Sequence, residues 1–343
     1  MYFKAAILTG KKKIRIEDIT FKSIDRGQVL VKNIYAGICG TQLLEFEGKK
    51  GKDKFYPHCF GHEALSKVIK IGPDVTKVKK NDLVIASWIQ GKGIAAKPPK
   101  YYNKKGEIIN SGPISVFSEY SIISENRLYK KPRKVEKKFA AVFGCALPTG
   151  VGSLTSYIDY SSTKNICILG FGGVGLFSYL ASKFCKINNI VVIDNDKSKL
   201  NKAKKMGANI FLNKNKKIDL EKIKELNNNN LFDVIIEATG NSKVIEQATQ
   251  LLNHHGSLII NGNVPFGERI KINPMIFNQG KKIFGSFGGG SNIDTEMATY
   301  IKIFKLIPQK IKKENFKFFK LSQISYIFNN FSKMKIIRPI IKF

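Results

Sequence analysis

Cysteine is scarce in this 343-residue chain. The five residues, Cys39, Cys59, Cys145, Cys167 and Cys185, are too dispersed for a disulfide framework, and an odd count leaves one without a mate. That usage fits a reducing compartment, and the expected location is the cytoplasm. The N-terminal run MYFKAAILTGKKK lacks the apolar core and cleavage site of a secretory signal, so none is expected. Long hydrophobic runs are missing too. The two uncharged stretches, 139–158 and 165–182, are interrupted by Pro148 and by glycines, and they read as buried strand, loop and helix pieces, with no membrane span expected.

Acidic residues are few, 26 against 58 Lys and Arg, giving a formal net charge of +32. Such an excess ordinarily suggests nucleic acid or an anionic surface. Yet only six of the cations are arginine (Arg15, Arg26, Arg127, Arg133, Arg269 and Arg338), and arginine is the residue suited to bidentate phosphate and base recognition. The lysines occur as scattered pairs and triplets, such as Lys11 to Lys13, Lys79-Lys80 and Lys312-Lys313. With Ile and Asn abundant alongside, they read as an AT-rich coding habit that writes lysine on solvated faces, and no nucleic-acid partner is expected.

What is present is ordinary globular material, 43% hydrophobic and 24% charged, of a length that suggests two domains. The first 140 residues read as short β-runs separated by turn signals, among them Phe3 to Leu8, Gln28 to Ile34, Leu65 to Ile71 and Asp82 to Ile85. This is the pattern of a β-rich distorted barrel. From about Thr149 the rhythm becomes strand, glycine turn, amphipathic helix, with strands at Asn165 to Leu169, Ile190 to Ile193, Phe232 to Glu237 and Ser257 to Ile260. Alternation of that kind implies a doubly wound parallel sheet, hence an α/β fold. The tail is helix-like over 291–306 and strand-like over 335–343, and it is expected to fold back on the N-terminal region. His254-His255, before Gly256, suggests a helix end.

Two constellations carry chemistry. Gly170-Phe171-Gly172-Gly173-Val174-Gly175 matches G-x-G-x-x-G between a buried strand and a helix start, and Asp194 ends the next strand. That context is a dinucleotide-binding turn: glycines allow close backbone approach, the helix N-terminus meets the pyrophosphate, and the carboxylate meets the adenosine ribose. An acidic group there repels a 2′-phosphate, so NAD is expected over NADP. The second constellation is Cys39, His62 and Cys145, a Cys/His/Cys set of the type that leaves zinc one open position. Spacing alone does not separate it from core residues.

The surrounding motifs do. GICGT at 37–41, GHE at 61–63, VIKIGPDV at 68–75, FSEY at 117–120, GCALPTGVG at 144–152 and the glycine turn, in this order, closely resemble the zinc-dependent medium-chain alcohol dehydrogenases over essentially the whole chain. The resemblance implies a GroES-like catalytic domain from residues 1–148 and 288–343, with a Rossmann NAD-binding domain, 149–287, inserted. It implies one catalytic zinc on Cys39, His62 and Cys145, with Glu63 a carboxylate that transiently becomes a ligand. Thr41 would take the substrate proton. Thr149 would lie against the nicotinamide, Lys199 near the adenosine ribose, and Arg338 near the pyrophosphate, with a structural ion pair as the alternative for Arg338. The activity implied is NAD-linked oxidation of a small alcohol or polyol, or the reverse, by a homo-oligomer, dimer or tetramer. Zinc-free reduction of enones or quinones on the same fold is the alternative, disfavoured by retention of the three ligands.

Three departures stand out. An aspartate that often orients a zinc ligand is Gln42 here, which could still hydrogen-bond His62. The histidine of the usual proton relay is Leu44. No cysteine lies between Cys59 and Cys145, so the four-cysteine structural-zinc lobe is lacking. In its place stands 87–118, carrying Trp88, either a substrate entrance whose lysines meet an anionic or sugar-derived alcohol, or a plain surface excursion.

Overall fold

In the computed structural model, which describes residues 1–213 and 219–343, the chain forms two compact units: Met1–Cys145 with Asn292–Met297 and Asn315–Phe343, and Ala146–Ser291 with Ala298–Glu314. The sequence reading of 149–287 and the second unit thus differ at their edges, most of all at 298–314. No helix among the described residues is long and apolar enough to cross a membrane.

The first unit is built from β1 (Phe3–Gly10), β2 (Lys13–Thr20), β3 (Gln28–Gly37), α1 (Gly40–Phe46), β4 (His58–Cys59), β5 (Glu63–Ile71), β6 (Leu83–Ser87), β7 (Tyr101–Asn103), β8 (Ile108–Ile109), β9 (Tyr120–Ser124) and β10 (Leu128–Lys130). One sheet runs β4-β1-β2-β7-β8. Period-two alternation explains how strands of both sheets serve two cores. Ala6 and Leu8 of β1 join Val29 and Val31 of β3 in one cluster, while Ala5 and Ile7 join Leu30 in another. Between the strands a buried polar knot is fully used: Asn33 donates to Ser118 O (2.7 Å) and Ser121 Oγ (2.8 Å) and accepts from Ser66 Oγ (2.6 Å). Each partner therefore recovers the hydrogen bonding that burial removes.

The segments before and after β6 are tied together by one carboxylate. Glu125, 1% exposed, accepts from the N–H groups of Thr76 (2.6 Å), Lys77 (2.6 Å) and Ile94 (2.8 Å). Burial alone would push its carboxyl up, but those donors and the Lys77 charge outweigh it and hold the group below the usual carboxylate range. Its stabilisation is thus complete above the unfolded carboxylate value and is lost as pH falls through the lower folded value. Glu125→Gln is expected to cost about 1–3 kcal/mol at neutral pH. In denaturant melts followed downward from neutrality, the gap from wild type should close on the acid side; a gap that stays constant to low pH would contradict this role.

The second unit opens with α2 (Ala146–Thr155), then β11 (Asn165–Leu169), α3 (Gly173–Phe184), β12 (Asn189–Asp194), α4 (Lys197–Lys205), β13 (Asn209–Leu212), α5 (Leu220–Leu226), β14 (Phe232–Glu237), α6 (Ser242–Ala248), β15 (Leu252–Ile260), α7 (Met275–Asn278) and β16 (Lys282–Gly285). The strands form one parallel sheet in the order β13-β12-β11-β14-β15-β16, with the strand order reversing about β11. This is the doubly wound order whose ligands bind at the carboxyl edge where the order reverses. Asp196 caps α4 through Ser198 N (2.7 Å), and Gly207, at φ +90°, lets the chain leave it. One expectation is corrected: His254 and His255 lie in β15, not at a helix end, and His255, at φ +61°, sits where the register against β14 shifts.

The chain then continues through α8 (Ile293–Lys305), α9 (Gln309–Asn315), β17 (Phe316–Phe319), α10 (Ile324–Asn330) and β18 (Arg338–Lys342). Residues 298–314, which include most of α8, belong to the second unit, whereas from Asn315 on the tail belongs to the first. There β10-β6-β5-β3-β18-β17 form the second sheet, with β9 on β3, and Ile324, Ile327 and Phe328 present one helical stripe to the first core. These positions give an α/β chain with a parallel sheet and a β-rich barrel-like unit.

Candidate functional site

Four strands of the first unit converge on one buried spot. Cys39 follows the end of β3 and caps α1, where its N–H donates to Gln42 Oε1 (2.8 Å). His62 immediately precedes β5, which pairs with both β3 and β6. Cys145 is held by its neighbour, because Ser87 Oγ at the end of β6 donates to Gly144 O (2.6 Å). The β18–β3 pairing, Ile340 opposite Gly37, delivers Arg338 beside Ile38, whose carbonyl accepts from the guanidinium (2.9 Å).

The result is that ligand atoms of Cys39, His62 and Cys145 all lie within 4.8 Å of one another. The two sulfurs are 4.0 Å apart, twice the length of a disulfide bond. Two thiolates on a tetrahedral zinc, each at about 2.3 Å, would be separated by about 3.8 Å. His62 Nε2 is buried with no hydrogen-bond partner among the described residues. A soft–borderline donor set at metal spacing, with a ring nitrogen left over, fits zinc. The hydrogen bond between the two sulfurs, with Arg338 and His62 adding to it, holds the Cys39 thiol well below its ordinary range, and the same bond with burial holds the Cys145 thiol well above it.

Glu63 and Arg338 form a pair behind these ligands. Both are enclosed, at 0% and 3% exposure, with Arg338 Nη1 3.4 Å from Glu63 Oε1. Burial works against the guanidinium charge, and Glu63 with the two cysteines more than restores it. Room for the carboxylate comes from Gly37, where any Cβ would collide with Glu63 Oε1. The ion pair given as the alternative for Arg338 is present in this unit. Gln42 also differs from expectation: its oxygen takes the Cys39 N–H, so it acts on the ligand loop, and its buried Nε2 has no partner among the described residues. Thr41 and Leu44 both lie on α1 and are half-buried. Trp88 lies beside one member of the set, its ring 6.4 Å from that of His62. The lysines at 92, 97, 100, 104 and 105 are exposed.

In the second unit the glycines have separate jobs. Gly170 takes φ +91°, a side chain on Gly175 would collide with Gly170 O, and a Cβ on Gly172 would meet nothing within 4 Å. Gly172 caps α3 without any side-chain bond, so Gly173 and Val174 open the helix toward open space, a cradle suited to a pyrophosphate. Asp194, at the end of β12, braces this turn: it accepts from Phe171 N (2.7 Å) and Asp196 N (2.9 Å). A carboxylate has further lone pairs, so a sugar hydroxyl can still be received. Lys199 Nζ stands 4.0 Å from Asp194. Thr149, on α2, has a buried hydroxyl with no partner among the described residues.

Sequence reasoning put Glu63 and Arg338 in separate roles and did not single out Gly37 or Ser87. The signal for the pair was an arginine inside the apolar run Ile336 to Ile340.

Comparison with known proteins accords with both halves. The alcohol dehydrogenase GroES-like domain matches residues 25–133, and the zinc-binding dehydrogenase domain matches 173–305. The S-(hydroxymethyl)glutathione dehydrogenase of Saccharomyces cerevisiae is 26% identical, covering 90% of this chain and 88% of that protein. The class-3 alcohol dehydrogenase of Dictyostelium discoideum is 27% identical, covering 98% and 97%. The fold of benzyl alcohol dehydrogenase from Acinetobacter calcoaceticus superposes with a TM-score of 0.86 at 22% identity, covering 100% of this chain and 99% of that one. With both domains matched in order and curated dehydrogenases aligned along most of its length, the chain is an oxidoreductase and belongs to the zinc-type medium-chain alcohol dehydrogenase family.

Proposed function

We propose that this chain is a zinc-dependent, NAD-linked dehydrogenase that interconverts a small primary or secondary alcohol and its carbonyl compound. The observation that carries the reading is the Cys39, His62 and Cys145 donor set, both cysteines buried and the buried His62 Nε2 unpartnered, with a glycine turn fit for a dinucleotide in the same chain. Zinc at that set would supply Lewis acidity toward the alcohol oxygen, and the nicotinamide would supply the hydride acceptor.

The chain's own residues do the rest. Cys39, His62 and Cys145 hold the metal, and Gln42 fixes the ligand loop through the Cys39 N–H. Glu63 and Arg338 balance each other's charge where water cannot. Thr41 Oγ1 would take the substrate proton, and with Leu44 in place of a relay histidine that proton would leave by another route than the usual imidazole. Trp88 forms an aromatic wall beside His62, which suits an apolar part of the alcohol. The glycine turn binds the pyrophosphate, Asp194 the adenosine ribose, and Lys199 lies alongside. β16, the edge strand of the parallel sheet, with exposed Phe266, Met275, Phe277 and Phe287 in the segments around it, supports assembly as a homo-oligomer.

The test is NADH absorbance across a panel of primary alcohols, secondary alcohols, polyols and sugar phosphates. Turnover of at least one neutral alcohol is expected; no NADH from any member, with zinc bound, would overturn the reading. Cofactor choice has its own check. Asp194→Asn is expected to weaken NADH binding about tenfold or more and to narrow the preference over NADPH, measured by fluorescence titration. An unchanged preference would remove Asp194 from the ribose.

A further inference from the structure

A second unpartnered group lies in the parallel-sheet unit, beyond the glycine turn. Asn261 follows the carboxyl end of β15, and its amide Nδ2 is buried with no hydrogen-bond partner among the described residues, as is the Thr149 hydroxyl. Ser153 joins them: its fully buried Oγ lies 2.6 Å from Thr149 O and 2.7 Å from Asn261 Oδ1. A hydroxyl has one proton and cannot serve two carbonyl oxygens. The proton goes to Thr149 O, the i−4 carbonyl of the same helix. Asn261 turned end for end then donates its NH2 to Ser153 Oγ and leaves its carbonyl oxygen in the unpartnered place. What remains is an amide acceptor and a neighbouring hydroxyl donor, both without partners inside the unit.

Topology says what could fill them. Asp194 ends β12, on one side of β11 and its glycine turn, whereas Asn261 follows β15 on the other side. A dinucleotide held by its phosphates at the turn, with its adenosine toward β12, sends its other half toward β14 and β15. Helix α2, which carries Thr149 and Ser153, packs on the start of α3: Ser178 Oγ donates to Gly150 O (3.1 Å). A primary carboxamide has both complements, an NH2 for the Asn261 oxygen and a carbonyl oxygen for the Thr149 hydroxyl.

We infer that Asn261, oriented by Ser153, and Thr149 together grip the carboxamide of the bound nicotinamide, so that Asn261 is a positioning residue for the face presented to the substrate. This rests on the dinucleotide reading above, and the test separates the two. NADH and ADP-ribose, which lacks the nicotinamide, are titrated against wild type, Asn261→Ala and Ser153→Ala. The expected result is an NADH Kd raised about tenfold in both variants with the ADP-ribose Kd unchanged, which also reports that the unit is folded. In wild type, the 3-acetylpyridine analogue, which keeps the carbonyl and lacks the NH2, should bind about tenfold more weakly than NAD, and Asn261→Ala should erase that difference. Equal binding of NAD and the analogue by wild type overturns the inference whether or not the variants fold. So does a loss of affinity shared equally by NADH and ADP-ribose. Wild type that binds neither NADH nor ADP-ribose overturns the dinucleotide reading along with it.

Discussion

Cys39→Ala is expected to abolish metal binding and to lower kcat by roughly three orders of magnitude or more, while NADH still binds. The size follows from what a bound metal contributes to the developing charge, several kcal/mol, where each 1.36 kcal/mol is about tenfold in rate. The separation follows from the chain's organisation: Cys39, His62 and Cys145 belong to one unit, and the glycine turn with Asp194 to the other. Metal content by mass spectrometry, steady-state rates and NADH fluorescence should therefore part company in this variant. Retained zinc with retained turnover would mean that Cys39 is only a core residue, the reading that its spacing alone left open.

The second large effect is on stability. Arg338→Met should cost about 3–5 kcal/mol, because it strands the fully buried Glu63 carboxylate without its counter-charge. Replacing both members, Glu63→Leu with Arg338→Met, should recover much of that loss, since the desolvation penalty then disappears from both sides of the pair. Chemical denaturation of the four forms makes the cycle. Additive losses would show that the two side chains do not act as a pair. The pairing would also give a metal at this set a charge logic: two thiolates would balance a divalent ion while Glu63 balances Arg338, so the enclosed cluster would sum to zero.

Elements whose pattern is local were legible in the sequence. Phe232–Glu237 and the helix closed by Gly207 could be read because apolar runs and turn residues are contiguous there. The two constellations were legible because motifs keep their residues close together: GICGT puts Cys39 at a strand end, and GFGGVG puts four glycines at one turn. Long-range pairing was not. Arg338 reaches Glu63 only because β18 lies against β3, some 300 residues distant from its partner carbonyl in sequence. His254 and His255 misled because a positive φ inside a strand looks, from composition, like a helix terminus. The Gln42 side chain had an equally plausible partner in His62, and only the geometry of the α1 start shows that its oxygen closes on the Cys39 N–H. Asn261 and Ser153 carried no signal, since a lone amide and a lone hydroxyl become informative only when burial removes their other partners.

The measurement that bears most directly on the central claim is the zinc content of purified wild type, set beside its alcohol-dependent NADH formation before and after chelation. One zinc per chain is expected, with turnover lost on its removal and restored by zinc alone. No zinc, or turnover that survives complete removal, would contradict the reading of Cys39, His62 and Cys145 as a catalytic metal centre.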